Sequence, residues 1–169
     1  PHRPEWGAGF GGQAIHTILP HPTDPARMLV AMSTGGVYRT DDGGRSWRPR
    51  NVGVRAGFMP DPHPVTGQCV HKFAPAAGQP ETLYQQNHCG VYRSDNRGED
   101  WIDIGEGRLP SRFGFPIAVH SHEPDTIYVV PIKSDSEHYP PEGKLRVWRT
   151  KDGGNSWQAL ANGLPQENC

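Results

Sequence analysis

The sequence predicts an all-β fold assembled from repeated supersecondary units. Three observations carry that expectation. The stretch Thr40-Asp41-Asp42-Gly43-Gly44-Arg45-Ser46-Trp47 returns as Ser94-Asp95-Asn96-Arg97-Gly98-Glu99-Asp100-Trp101, and again as Thr150-Lys151-Asp152-Gly153-Gly154-Asn155-Ser156-Trp157. The copies start roughly 55 residues apart, the spacing of stacked supersecondary repeats. The Gly 21 and Pro 18 among 169 residues approach a low-complexity composition, but they fall at regular turn positions between short apolar runs of strand length.

Each copy fits Ser/Thr-x-Asp-x-Gly-x-Ser/Thr-Trp and reads as a hairpin turn. The Asp carboxylate accepts hydrogen bonds from nearby backbone N–H groups. The Gly permits positive φ. The Trp opens the next strand and covers the turn with a large aromatic surface. Upstream the match extends through Val37-Tyr38-Arg39, Val91-Tyr92-Arg93 and Val147-Trp148-Arg149. These residues resemble the Asp-box, or bacterial neuraminidase repeat, of sialidase-like β-propellers, and the resemblance covers most of the chain. It implies four-stranded antiparallel blades, about three of a ring of six to eight, with Asp42, Gly44, Trp47, Asn96, Gly98, Trp101, Asp152, Gly154 and Trp157 as structural box residues. The second box departs from the pattern, with Asn96 for Asp and Asp100 for Ser/Thr, and a weaker box is expected there rather than a missing blade.

In chain order, residues 1–13 read as a lead-in loop or the end of a preceding blade, where Trp6 and Phe10 pack locally. The first blade spans 14–53, with strands at 14–19, 28–32, 37–40 and a charged outer strand at 48–50. A long connection follows. The second blade spans 68–106, with strands at 69–74, 82–86, 91–94 and 101–104. The third spans 115–163, with strands at 116–120, 127–130 and 145–150, and residues 131–144 are an insertion without counterpart in the first two. Residues 164–169 read as the start of a further unit. Three blades cannot close a ring of about 4–8, and the chain begins with Pro1 rather than Met. Part of a longer protein is therefore expected, with the remaining blades of the same propeller as its neighbours. Several short chains assembling into one ring is the alternative.

A net charge of −1 gives no basic footprint for nucleic acid. No apolar stretch approaches the roughly 20 residues of a membrane span, no signal peptide is visible, and the compartment is left open. Cys69, Cys89 and Cys169 make no disulfide framework. Cys69, His71, His88 and Cys89 fall in one blade, but their spacing matches no zinc finger, so neither a metal nor another cofactor is expected. A Cys69–Cys89 disulfide is left undecided. His16 and His71 stand at equivalent inner-strand positions, which favours a packing role.

Repetition also sorts residues. Those recurring in every blade, including Arg39, Arg93 and Arg149, are expected to be architectural. Those occurring once, on loops opposite the boxes, are candidates for function. That rim collects His63, His88, Cys89, Phe113, Lys133 and His138 as ligand-binding candidates. Arg112, Asp135, Glu137 and Tyr139 are the candidates for catalysis. Two functions compete. One is a propeller that binds a carbohydrate or protein ligand on this rim, favoured by the loop aromatics Phe58, Phe113, Phe115 and Tyr139. The other is a glycoside hydrolase, sialidase-like or xyloglucanase-like, with an active site completed by other blades. Glycosidases use paired carboxylates, or a Tyr nucleophile in sialidases. The sialidase Phe/Tyr-Arg-Ile-Pro motif has only a loose echo in Arg112-Phe113-Gly114-Phe115-Pro116-Ile117. A third reading is structural, with function carried by other blades.

Overall fold

The computed structural model of the chain describes Pro4, Trp6, Gly7 and residues 12–169. Among them three four-stranded antiparallel sheets follow one another. The first holds β1 (Ile15–Pro20), β2 (Met28–Met32), β3 (Gly36–Thr40) and β4 (Arg48–Pro49). The second holds β5 (Val70–Ala76), β6 (Gln79–Asn87), β7 (Gly90–Ser94) and β8 (Ile102–Asp103). The third holds β9 (Gly114–Val119), β10 (Ile127–Pro131), β11 (Val147–Thr150) and β12 (Gln158–Leu160). Strand order in each sheet is sequential, and β1 lies beside β5 as β5 lies beside β9. These are three neighbouring blades of a β-propeller, with the first strand of each innermost.

The central strands are apolar because both their faces are covered. Among the described residues three buried clusters result, and two of them lie in the joints between blades. Leu29, Ala31 and Val37 of the first blade meet Val70, Phe73, Leu83 and Tyr92 of the second, with Trp101 among them. Tyr84, Val91 and Ile104 of the second blade meet Ile117, Ile127 and Val129 of the third, with Trp157 packed against them. Trp101 and Trp157 thus each fill the joint with the blade before, while Trp47 packs against Val30, Met32 and Tyr38 of its own blade. Trp101 Nε1 donates to the Arg50 carbonyl at 2.9 Å, and Trp157 Nε1 donates to the Ile104 carbonyl at 3.0 Å. Trp6 packs as expected: it donates to the Tyr38 hydroxyl at 2.8 Å. Phe10 lies outside the described residues.

The repeated arginines also tie blades together. Arg39 reaches Glu99 at 2.6 Å, and Arg93 reaches Asp125 at 2.8 Å. Both pairs cross a joint. Arg149 instead donates to Gln158 on the adjacent strand at 2.7 Å.

In the first and third boxes the Asp is a hydrogen-bond hub. Asp42 accepts from Thr40 Oγ1 at 2.8 Å, Ser46 N at 2.9 Å and Ser46 Oγ at 2.6 Å. Asp152 accepts from Thr150 and Ser156 in the same way, at 2.7, 2.9 and 2.6 Å. The second box keeps this ring with donor and acceptor exchanged. Asn96 Nδ2 donates to Asp100 Oδ2 at 2.8 Å, where in the first box Ser46 donates to Asp42. The bond from the residue-100 amide to Asn96 Oδ1 lengthens to 3.2 Å. The two substitutions compensate each other, and the turn and its blade are both present.

These bonds hold the carboxyls of Asp42 and Asp152 down to about 2, chiefly through the Ser46 and Ser156 hydroxyls. An unfolded Asp titrates near 3.9. A depressed folded value gives stability that is complete above pH ~4 and is lost as pH falls from about 4 toward 2. The melting temperature should therefore drop over that window. The Asp42→Asn/Asp152→Asn double variant should start lower at pH 6 and fall less steeply below pH 4. Parallel melting curves for the two proteins would remove the boxes from the acid response.

The box turns also mark one end of each blade. Gly43 N donates to Ala26 O, Arg97 N to Glu81 O, and Gly153 N to Asp125 O, at 2.8, 2.7 and 3.0 Å. Each bond joins a box to the end of the blade where first strand passes to second, at the turn in the first and third blades and at the start of β6 in the second. The blade connections and the turns between second and third strands therefore gather at the other end.

Candidate functional site

At that other end the inner strands break their alternation at one level. In β5, Val70 pairs with Asn87 and Lys72 with Gln86, so His71 is an extra residue. In β1, Ile15 pairs with Met32 and Thr17 with Ala31, so His16 is extra. In β9, Phe115 and Pro116 together oppose Val130. Such bulges re-aim side chains. Here they put His16, His71 and Phe115 at the same level of their blades. His71 stacks on Phe115 with ring centres 4.8 Å apart, and His16 is near enough to disfavour charge on His71. His71 packs, as expected, but against rings of the rim. It is half-buried at the rim and donates Nδ1–H to the Gly114 carbonyl at 2.7 Å.

Three connections add further rings. Phe58 comes from the link between the first two blades, His88 from the β6–β7 turn and Phe113 from the link to the third blade. His88 lies edge-on to Phe58, His71 and Phe113, at 5.0, 5.5 and 4.9 Å between centres. Phe113 meets Phe115 at 5.2 Å and stacks parallel to His138 of the 131–144 insertion at 6.2 Å. Phe113 is the buried keystone, while Phe115 and Phe58 stay 50% and 48% exposed. Desolvation lowers the pKa of His71 most, so its ring joins this cluster neutral.

Phe58, His88 and Phe113 border an open cleft of about 480 Å³, lined also by Arg55, Cys89, Arg112, Lys133 and Asp135. His63 lies elsewhere. It lines a neighbouring cleft of about 350 Å³ with Tyr92, Asp103 and Glu106, and Arg112 borders both.

The expected catalytic groups each have a defined partner. Arg112 forms ion pairs with Asp103 and with Glu106, the latter at 2.8 Å. Asp135 Oδ2 stands 3.3 Å from His88 Nε2. Lys133 Nζ donates to Glu137 Oε1 and to the Tyr139 hydroxyl, both at 2.8 Å, and that hydroxyl donates to Glu137 at 2.6 Å. The Lys133 hydrogen bond, then the Tyr139 one, lowers the Glu137 pKa. Glu137 is therefore a carboxylate at neutral pH, suited to accept protons or balance charge and not to act as a general acid. His138 Nε2–H is donated to the Asp135 carbonyl at 2.6 Å and fixes the insertion's tip. Burial pushes the Cys89 thiol up, so it is a poor nucleophile.

No protein-family model matches the sequence, and no curated protein matches it. Solved structures do. An ancestral GH74 enzyme is 18% identical over 91% of this chain and 18% of its own length, with a TM-score of 0.63. The GH74 xyloglucanase from Xanthomonas campestris is 17% identical over 92% of this chain and 23% of its own, with a TM-score of 0.62. YCF48 bound to a D1 peptide is 17% identical over 89% of this chain and 42% of its own, with a TM-score of 0.51. The chain spans less than half the length of each of these proteins. At such identities the likeness concerns the fold, and the chain shares the β-propeller fold of the GH74 enzymes and YCF48.

Proposed function

We propose that the chain forms part of a glycoside-hydrolase-like propeller whose aromatic cleft grips a neutral polysaccharide. The observation that carries this reading is the continuous set of rings, Phe58, His88, Phe113, Phe115 and His71, drawn from two blade links, one turn and two strand bulges onto one open rim. A pyranose ring has an apolar C–H face and a hydroxyl edge. Exposed aromatic faces suit the first, and Lys133, Asp135 and Arg55 on the same rim suit the second. An open cleft, rather than an enclosed cavity, accommodates a polymer.

The choice of a neutral glycan over a sialoside follows from Arg112. It is the arginine in the loose echo of the sialidase motif, and Asp103 and Glu106 already hold it. The resemblance in fold to GH74 xyloglucanases supports the polysaccharide class. If the cleft also hydrolyses its ligand, Asp135 is the rim carboxylate nearest the rings, standing against His88, and a second carboxylate must complete the pair.

Affinity electrophoresis of the full chain through gels of xyloglucan, mixed-linkage glucan, mannan or a sialylated glycoprotein tests this. Retardation by a neutral glycan is expected. Each stacked ring contributes about 1.4 kcal/mol through buried apolar area, so Phe58→Ala/Phe115→Ala should weaken binding roughly 100-fold. Both side chains are half exposed, so the fold should survive their loss. No retardation in any glycan, or equal retardation of wild type and double variant, would sink the proposal. New reducing ends that disappear with Asp135→Asn would extend it to catalysis.

A further inference from the structure

Beneath the aromatic cleft, Cys69, His71 and His88 converge so that one donor atom from each lies within 4.8 Å of the other two. We propose that these three side chains bind a zinc ion. Their convergence is a product of the fold. Cys69 immediately precedes β5, His71 sits on the β5 bulge, and His88 follows β6 on the paired strand. His88 N donates to the Cys69 carbonyl at 2.9 Å, which locks the two segments together.

The surroundings have the form of an outer ligand shell. Metal-bound imidazoles characteristically engage a carbonyl or carboxylate through their second nitrogen, which fixes tautomer and orientation. His71 Nδ1–H is donated to the Gly114 carbonyl, which leaves the Nε2 lone pair for an ion. His88 has Asp135 as its carboxylate partner at 3.3 Å. Both partners come from the third blade, so an ion held by the second blade would brace those two blades at the rim.

One thiolate and two imidazoles match zinc in charge and softness. Tetrahedral zinc places such donors roughly 3.3–3.6 Å apart, so closure asks each pair to contract by about 1.5 Å at most. Binding replaces the Cys69 thiol proton, which leaves to solvent. The linear spacing Cys-x-His followed by a distant His signalled none of this, because the bulge decides where His71 points.

The test is titration of the full, chemically reduced chain with Zn2+ against a chromophoric chelator, repeated with Co2+ to observe the thiolate charge-transfer band. One ion per chain is expected, with that band present. Loss of an outer partner alone weakens a site roughly 10–100-fold. Asp135→Asn should fall in that range, while Cys69→Ser, His71→Ala and His88→Gln should each exceed it. Cys69→Ser should also abolish the band. His88→Gln lies on a turn and serves where His71→Ala perturbs folding, as judged by circular dichroism. The proposal is overturned by the absence of saturable one-to-one binding, by binding that all three ligand substitutions leave unchanged, or by a Cys69–Cys89 disulfide in the native protein. Only the metal is used as probe, so the result stands independently of any polysaccharide.

Discussion

Replacing Gly53 by Ala is expected to destabilise the chain by about 3 kcal/mol, far more than the same change at its repeats. Gly53, Gly107 and Gly163 stand at the same offset beyond the three box tryptophans, with φ of 88°, 69° and 77°. All three occupy a left-handed conformation that costs an L-residue about 1–2 kcal/mol. Only Gly53 is also crowded. A Cβ there would overlap the Trp101 carbonyl oxygen and lie 3.2 Å from its carbon, whereas Gly107 and Gly163 have nothing within 4 Å. The obstruction is backbone, and it is pinned. Trp101 N donates to the Val52 carbonyl at 2.9 Å, and Val52 bridges Asp100 across the first joint. Overpacking against such a neighbour adds about 1–3 kcal/mol. Denaturant unfolding of Gly53→Ala, Gly107→Ala and Gly163→Ala should give about 3, 1 and 1 kcal/mol. Equal losses at all three positions would mean that the joint yields, and that Gly53 is retained for its turn alone.

That comparison shows what repetition in a sequence can disclose. The recurring Asp, Gly and Trp marked the turns, because every blade must solve the same local problem. The second strand at residues 28–32 matches β2, since a run of consecutive buried residues needs no knowledge of neighbours. Exact repetition was less informative where blades differ in their surroundings. His16 and His71 look equivalent in sequence, yet His71 lies among Phe113, Phe115 and His88. Phe115 reads as a link residue, yet it belongs to β9. The reason is geometric. A bulge inserts one residue, and every alternation argument beyond it changes face. The rim loops were legible as a set, but their partners were not. Nothing in the sequence reveals that Arg112 turns to Asp103 and Glu106, or that Glu137 turns to Lys133 and Tyr139. His63, counted with the same rim, lines the adjoining cleft because its segment bends toward Tyr92 and Asp103.

Burial, rather than motif membership, should likewise rank the three box tryptophans. Trp101 is only 4% exposed, in the core shared by the first two blades, where its ring meets Phe73 edge-on at 5.9 Å between centres. Trp47 and Trp157 are half-buried. Truncating a buried Trp removes its transfer energy and leaves a cavity, a cost of about 3–5 kcal/mol. Trp101→Ala should therefore lose about 4 kcal/mol and Trp157→Ala about 2, both measured by denaturant unfolding. Against a total of about 5–15 kcal/mol, the first loss is a large fraction. It also bears on the rim. The first joint sets Phe58, carried by the link between the first two blades, against His88 of the second, 5.0 Å apart between ring centres. At a temperature where the variant remains folded, Trp101→Ala should weaken glycan retention more than Trp157→Ala does. The ring pair straddles the loosened joint. If Trp157→Ala costs as much stability as Trp101→Ala, the box motif and not the packing of the joint governs what these tryptophans contribute.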